Sequence, residues 1–454
     1  MSLLDSFKKN LPRKELITIP IIRNTLKLAS SNVVLMFLPL LVTPILSRLY
    51  TPMDYGDWGV YSSLMFIINS FIFLSYENVI VKSSSEDEIP LIVFLCGIIS
   101  SIIIGIFAIF LIWGNVIGFL YFSNFPAKLL FICTLFVCAC NSILLCIANR
   151  NRLYGQMSIS NIINGAGQAL IRILLGIFPI VTFGLMVGNF LAHLIAALFL
   201  FLVLFSSLKL YDWNVATKHL LLTAKKYKKF PIYDAPARFL EFTVGNIVVI
   251  ILSFYFGRGD VGCFSMVLQF ILLPITVVGS AMGSVYYREL SENCKSIESI
   301  QSVTRKVAKL TFYLSIVPMI FLTFGGDKLL VLFLGEKWIY AGRMALIMSI
   351  YSLPVILTEP LLPAFRVLDC QKIRFKYNLI NLFVSVGSLV VASLLFHDVF
   401  YSLLVYSLTY AIIRFAIYRR ILKSTSLQIS YVSKLFFPTI IICYIALFIR
   451  LILF

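Results

Sequence analysis

The 454-residue sequence predicts an all-α polytopic membrane protein, built as two six-helix lobes that are parallel repeats plus a thirteenth C-terminal helix. Three observations carry that expectation. The composition is 60% hydrophobic and 13% charged, which leaves too little polar surface for a soluble fold of this length. Thirteen long apolar runs can be marked, and at roughly 20 residues per crossing they occupy about 260 residues. Short motifs also recur between the two halves. The runs are continuously apolar and about twice as long as a tilted barrel strand needs, which rules out a transmembrane β-barrel.

In chain order, runs near 28–49, 58–80, 90–113, 128–148, 156–178 and 183–206 make a first lobe over residues 1–206. A basic linker, 207–232, follows. Runs near 240–257, 261–287, 309–333, 340–363, 376–396 and 399–418 make a second lobe over 233–420, and residues 421–454 hold a basic segment and a last run near 435–454. Pro39 and Pro44 interrupt the first run, and Pro274, Gly279 and Gly283 the eighth. Neighbouring helices re-satisfy backbone groups freed at such bends. The stretch from Ser207 to about Phe239 is the longest between runs, which leaves little room for a separate catalytic domain.

The formal charge of +18 would suggest nucleic acid in a soluble protein; here it is an orienting excess and no nucleic-acid partner is expected. With the N-terminus, the even-numbered loops and the segment after the twelfth run on one side, that side carries 29 of the 38 Lys and Arg, against six opposite. The richer side is expected in the cytoplasm. Lys8, Lys9, Arg13 and Lys14 precede a full-length apolar run without a small-residue cleavage site, so the N-terminus is expected to be retained. The nine cysteines are scattered and form no disulfide framework; Cys138 and Cys140 lack a nearby His or carboxylate and read as packing residues.

A shift of 206 places Asp54-Tyr55-Gly56-Asp57-Trp58 on Asp260-Val261-Gly262-Cys263-Phe264, and Leu46-Ser47 on Leu252-Ser253. The D-x-G-x-aromatic pattern reads as a turn closing two hairpins. Asn161-Ile162-Ile163-Asn164 likewise matches Asn378-Leu379-Ile380-Asn381 at an offset of 217, which an 11-residue insertion after the eighth run reconciles. Six crossings return the chain to its starting side, so the halves are expected to be related by an axis along the membrane normal, with a substrate site at their interface.

Polar residues inside the runs are the candidate site. Asn161, Asn164, Gln168 and Arg172 hold one face of the fifth run for three turns, and Asn378, Asn381, Ser385 and Ser388 repeat the design in the eleventh without a cation. Such stripes line a cavity or serve as interhelical hydrogen bonds, and Arg172 either faces the cavity or snorkels. Glu359, between Pro354 and Pro360 in the tenth run, is a candidate for ion coupling or a neutral group bonded to a neighbour. Asp234, Arg238 and Glu241 read as a local ion-pair cluster at the cytoplasmic rim, and His193 as a packing residue. In the linker, Lys225, Lys226, Lys228 and Lys229 follow Leu220 to Leu222 and read as an interfacial segment on the anionic leaflet, or as a site recruiting a phosphate-bearing lipid. There is no Gly-rich phosphate loop, nucleophile elbow or metal-ligand spacing. No catalytic residue, cofactor or metal is expected.

Leu46-Ser47-Arg48-Leu49-Tyr50-Thr51-Pro52 with Asp54-Tyr55-Gly56 resembles the Wzx-type polysaccharide and O-antigen flippases of the multidrug/oligosaccharidyl-lipid/polysaccharide exporter superfamily. Tyr76-Glu77 with Ile80 resembles that family's second-helix ending, and Lys228-Lys229-Phe230-Pro231 the approach to its seventh helix; similar features reach from about residue 26 to residue 420. The resemblance implies two lobes that alternately open a cationic central cavity and carry undecaprenyl-pyrophosphate-linked oligosaccharide outward across the bacterial inner membrane. Membrane lipids and polysaccharide-assembly proteins are the other partners it implies. Arg48 and Glu77 match family motifs, whereas Arg172 rests on helical spacing alone. A thirteenth helix departs from the even number usual in the family. A cation-coupled multidrug antiporter of the same superfamily is the nearest alternative. A membrane-embedded polymerase or glycosyltransferase is a weaker one, because external connections such as Gly257 to Asp260 and His397 to Phe400 are short.

Overall fold

The computed structural model describes residues 37–83, 85–113, 125–178, 183–209, 217–292, 296–368, 370–427, 441–442 and 444–450. The basic N-terminal residues, Asn115, Cys294, Lys295 and Phe454 lie outside them, as does most of the last run. Each of the thirteen runs contains helix among its described residues, and no strand occurs among them. Eight helical segments among the described residues are long and apolar enough to cross a membrane: Glu88–Leu111, Phe125–Arg150, Gly184–Leu208, Phe230–Tyr255, Arg258–Ser291, Glu336–Val367, Lys372–Phe396 and Val399–Ser424. The remaining runs appear as Phe37–Leu49, Pro52–Phe71 followed by Glu77–Lys82, Tyr154–Ile177, Ile297–Phe321 followed by Asp327–Leu334, and residues 441–442 and 444–450.

Some runs are broken. The second stops at Phe71, where Leu74 (φ 49°) and Ser75 (φ 64°) take left-handed backbone, and Glu77 starts a new short helix. The ninth widens to a π turn at Leu322–Gly326, four residues after Pro318. Another π turn, Asn381–Ser385, interrupts the eleventh.

The described residues pack as two compact units divided at 42/43, 68/69 and 236/237, so that residues 43–68 belong with the second half of the chain. In the first unit the sixth helix, Gly184–Leu208, packs against both the fourth and the fifth. Gly188, Ala192 and Ala196 are buried at four-residue spacing along it, and small side chains let helix backbones approach closely without a hydrophobic drive between them. The linker helix Thr217–Lys226 is fastened to this unit. Tyr76 Oη donates to the Ala224 carbonyl at 3.0 Å, and Tyr227 Oη donates to Glu88 Oε2 at 2.7 Å. Lys226 pairs with Glu88, and those contacts hold its ammonium above its ordinary pKa. Nearby, Arg150 Nη1 donates to the carbonyls of Ile80 (2.9 Å) and Ser83, closing the end of the broken second helix.

The centre of the second unit is the tenth helix, Ile339–Thr358, buried along nearly its whole length among the eighth, ninth and twelfth. The last helix docks on the same unit: Tyr444 Oη donates to the Ile350 carbonyl, and Arg450 bonds Asp327 Oδ1 (Nη2, 2.6 Å) and the Thr323 carbonyl.

The repeated motif turns out to be a helix crossing within this unit, not the hairpin turn its Asp and Gly suggest. Asp54–Gly56 and Asp260–Gly262 lie in the first turns of Pro52–Phe71 and Arg258–Glu292. A Cβ on Gly56 would stand 2.1 Å from the Arg258 carbonyl oxygen, and one on Gly262 would stand 1.7 Å from the Pro52 carbonyl oxygen. The two helix starts therefore touch backbone to backbone, each glycine facing the other's segment. The flanking serines repeat one another as well: Ser47 Oγ donates to the Pro44 carbonyl and Ser253 Oγ to the Ile250 carbonyl, both three residues back. Ser47 Oγ also reaches the Leu334 carbonyl at 2.8 Å, while Trp338 Nε1 donates to the Ser47 carbonyl at 3.0 Å and Tyr55 meets the Trp338 ring edge-on.

Candidate functional site

The second unit contains a polar cavity of about 200 Å³ where the seventh, tenth, eleventh and twelfth helices meet. The tenth helix supplies Glu359, in the 3-10 turn Glu359–Leu361 that Pro360 begins after Thr358. The eleventh supplies Arg374, Tyr377, Asn378 and Asn381, one side of a helix for two turns. The twelfth supplies Tyr410 and Arg414, at i and i+4, and the seventh supplies Glu241.

Two ion pairs cross it. Arg414 Nη1 donates to Glu359 Oε1 at 2.8 Å, and Arg374 Nη2 lies 3.4 Å from Glu241 Oε1. Arg414 Nη2 also donates to Tyr410 Oη at 2.7 Å, and the guanidinium carbon sits 5.1 Å from that ring's centroid. Asn381 is buried in the π turn and accepts at Oδ1 from Ser385 Oγ at 2.9 Å. Glu359 leans on the eighth helix at Gly279, where a Cβ would lie 3.3 Å from its own. The cavity thus presents donors and acceptors of both signs in balance, two arginines against two carboxylates.

Among the candidates read from the sequence, the structure brings Glu359, Asn378 and Asn381 into this one site. The fifth-helix stripe lies in the first unit. There Asn161, Asn164 and Gln168 are half-buried and Asn164 Nδ2 meets His193 Nδ1 at 3.0 Å, so His193 has a polar partner beyond packing. Arg172 is 9% exposed; its Nε donates to the Leu185 carbonyl at 3.0 Å, and its stem covers Gly188, where a Cβ would fall 2.6 Å from Arg172 Cγ. Glu77 is buried in the first unit, and Arg48 is exposed at the end of the first helix. Glu241 pairs with Arg374 across 133 residues, whereas its spacing suggests a local cluster with Asp234 and Arg238. Arg374, Tyr377, Tyr410 and Arg414 are the site residues that sequence reasoning missed. The available signal was an arginine inside an apolar run, which calls for an acid partner at membrane depth.

A family described as polysaccharide biosynthesis protein matches the sequence over residues 45–343. No curated protein matches it. One solved structure with the same fold is the lipid II flippase MurJ in an inward closed conformation, 15% identical, with 93% of this chain and 97% of that chain covered at a TM-score of 0.66. Another is a multidrug resistance MATE family transporter of the MOP superfamily in an inward-facing conformation, 13% identical, with 86% and 94% covered at a TM-score of 0.61. At these identities the likeness establishes the fold.

Proposed function

Because this chain belongs to the polysaccharide biosynthesis protein family, we propose that it is a flippase carrying undecaprenyl-pyrophosphate-linked oligosaccharide units, of the O-antigen type, across the bacterial inner membrane by alternating access of two lobes. The second-unit cavity is the observation that carries the reading. A sugar needs hydroxyl partners that both donate and accept, and Asn378, Asn381, Tyr377 and Tyr410 offer both beside two charged pairs. An amphipathic cationic drug would instead favour acidic walls without competing arginines. Arg48, Glu77, Asn161, Asn164, Gln168 and Arg172 are the proposed substrate contacts from the other polar positions, and Glu359 the proposed ion-coupling carboxylate. The fold it shares with a protein named as a lipid II flippase supports a lipid-linked cargo. Polysaccharide-assembly proteins are its proposed partners, and no residue is assigned a catalytic role.

Cells lacking the protein are expected to lose a surface polysaccharide and to accumulate its lipid-linked repeat unit on the cytoplasmic leaflet, with unchanged sensitivity to cationic dyes. Intact polysaccharide with heightened dye sensitivity would replace the flippase by the antiporter. The N-terminus is proposed to be cytoplasmic: a cysteine at Lys228 should be shielded from an impermeant thiol reagent in intact cells and one at Gly335 should react. The reverse pattern would invert the topology.

A further inference from the structure

The linker helix Thr217–Lys226 turns one face to the first unit and leaves another uncovered. Thr223 is buried, and Tyr227, four positions on, bonds Glu88, so that side rests on the third helix, Glu88–Trp113. Leu221 and Leu222 stand on the opposite side, 65% and 57% exposed, with the exposed Lys225 one turn beyond Leu221. An outward face that mixes leucine with lysine is not the polar face of a water-bound helix; it is the face of an interfacial one.

Position and charge identify what covers it. Gly184–Leu208 before this helix and Phe230–Tyr255 after it are both long and apolar enough to cross a membrane. Lys226 stands four residues before Phe230, at most about 14 Å of extended chain, which keeps the helix at the bilayer surface. Lys226 is taken by Glu88, but Lys225, Lys228 and Lys229 are exposed and make no ion pair among the described residues. Glu86 and Asp87, next to Glu88 in the chain, are exposed and take none of them. Ile232 and Tyr233, just past the lysines, are exposed as well.

We propose that this face is a docking surface for anionic phospholipid. Leu221 and Leu222 enter the acyl region, and Lys225, Lys228 and Lys229 hold headgroup phosphates, their stems snorkelling from the apolar level to the polar one. The proposal is independent of what the protein carries.

The full chain in neutral detergent is titrated with phosphatidylglycerol and with phosphatidylcholine, and bound lipid is counted by native mass spectrometry. Phosphatidylglycerol is expected to bind at least about tenfold more tightly, a conservative share of what three lysines at an anionic surface supply. Lys225→Gln, Lys228→Gln and Lys229→Gln together should remove most of that preference. Lys306→Gln, Lys309→Gln and Lys423→Gln, at exposed positions of the second unit, take away equal charge elsewhere and should change it by less than about twofold. Leu221→Ser with Leu222→Ser should weaken both lipids by the same factor, since both carry acyl chains. All these side chains are exposed, so none of the variants removes a buried contact. Equal binding of the two lipids by the parent, a preference kept by the linker variant or lost equally in the second-unit variant, unchanged binding in the leucine variant, or displacement of phosphatidylglycerol by millimolar inorganic phosphate at constant ionic strength would overturn the assignment.

Discussion

Gly262→Ala is expected to remove about 3 kcal/mol or more of stability and to sharply reduce the yield of monodisperse protein. The new Cβ would stand 1.7 Å from the Pro52 carbonyl oxygen and 2.8 Å from the Gly56 nitrogen. Both are backbone atoms at a helix start, which cannot rotate aside as a side chain would, so the cost falls at or above the ~1–3 kcal/mol usual for overpacking. Gly56→Ala should behave alike, since its Cβ would meet the Arg258 carbonyl oxygen at 2.1 Å. Gly97→Ala is the control: nothing lies within 4 Å of that Cβ, and its effect should stay within about 0.5 kcal/mol. Melting midpoints in one detergent compare the three. A Gly262→Ala protein that melts with the parent would mean that the two helix starts do not touch.

Arg450→Leu should cost about 3–5 kcal/mol, because it strands the Asp327 carboxylate, whose side chain is only 6% exposed. Removing both charges, as Asp327→Asn with Arg450→Leu, should recover most of that loss, since the penalty comes from one unpaired buried charge. The same comparison reports whether the last helix is held where Arg450 places it. If the single and double variants were equally unstable, the loss would come from packing of the arginine stem and not from the pair.

Apolar runs announced the helices because continuous hydrophobicity over 20 residues has one structural outcome in a membrane. Breaks inside runs were less legible. Leu74 and Ser75 carry no side-chain signal for left-handed backbone, and the helical spacing of Asn381 and Ser385 does not betray the π turn that they bound. The eleventh-helix stripe was readable from spacing alone, and Asn378 and Asn381 do reach the cavity. Arg414 was visible as a charge within the twelfth run, yet its partner Glu359 lies 55 residues away, and that pairing depends on how both helices are rotated about their axes. Arg172 illustrates the opposite case. Periodicity sets it on one face with Asn161, Asn164 and Gln168 but is blind to the Leu185 carbonyl that its Nε bonds on the adjacent helix.

The glycine contact between the second and eighth helices sets a timetable for biosynthesis. Its two halves are 206 positions apart, so at roughly 5–20 residues per second the first enters the bilayer about 10–40 s before the second is made. During that interval the surface around Gly56 is open, together with Ser47, which later bonds Leu334, and Tyr55, which later meets Trp338. Such long-range closure makes for slow maturation. Quality-control factors of the insertion machinery would therefore meet the nascent chain as an unfinished hairpin, and its capture by the eighth helix marks the moment at which the C-terminal half can begin to lock.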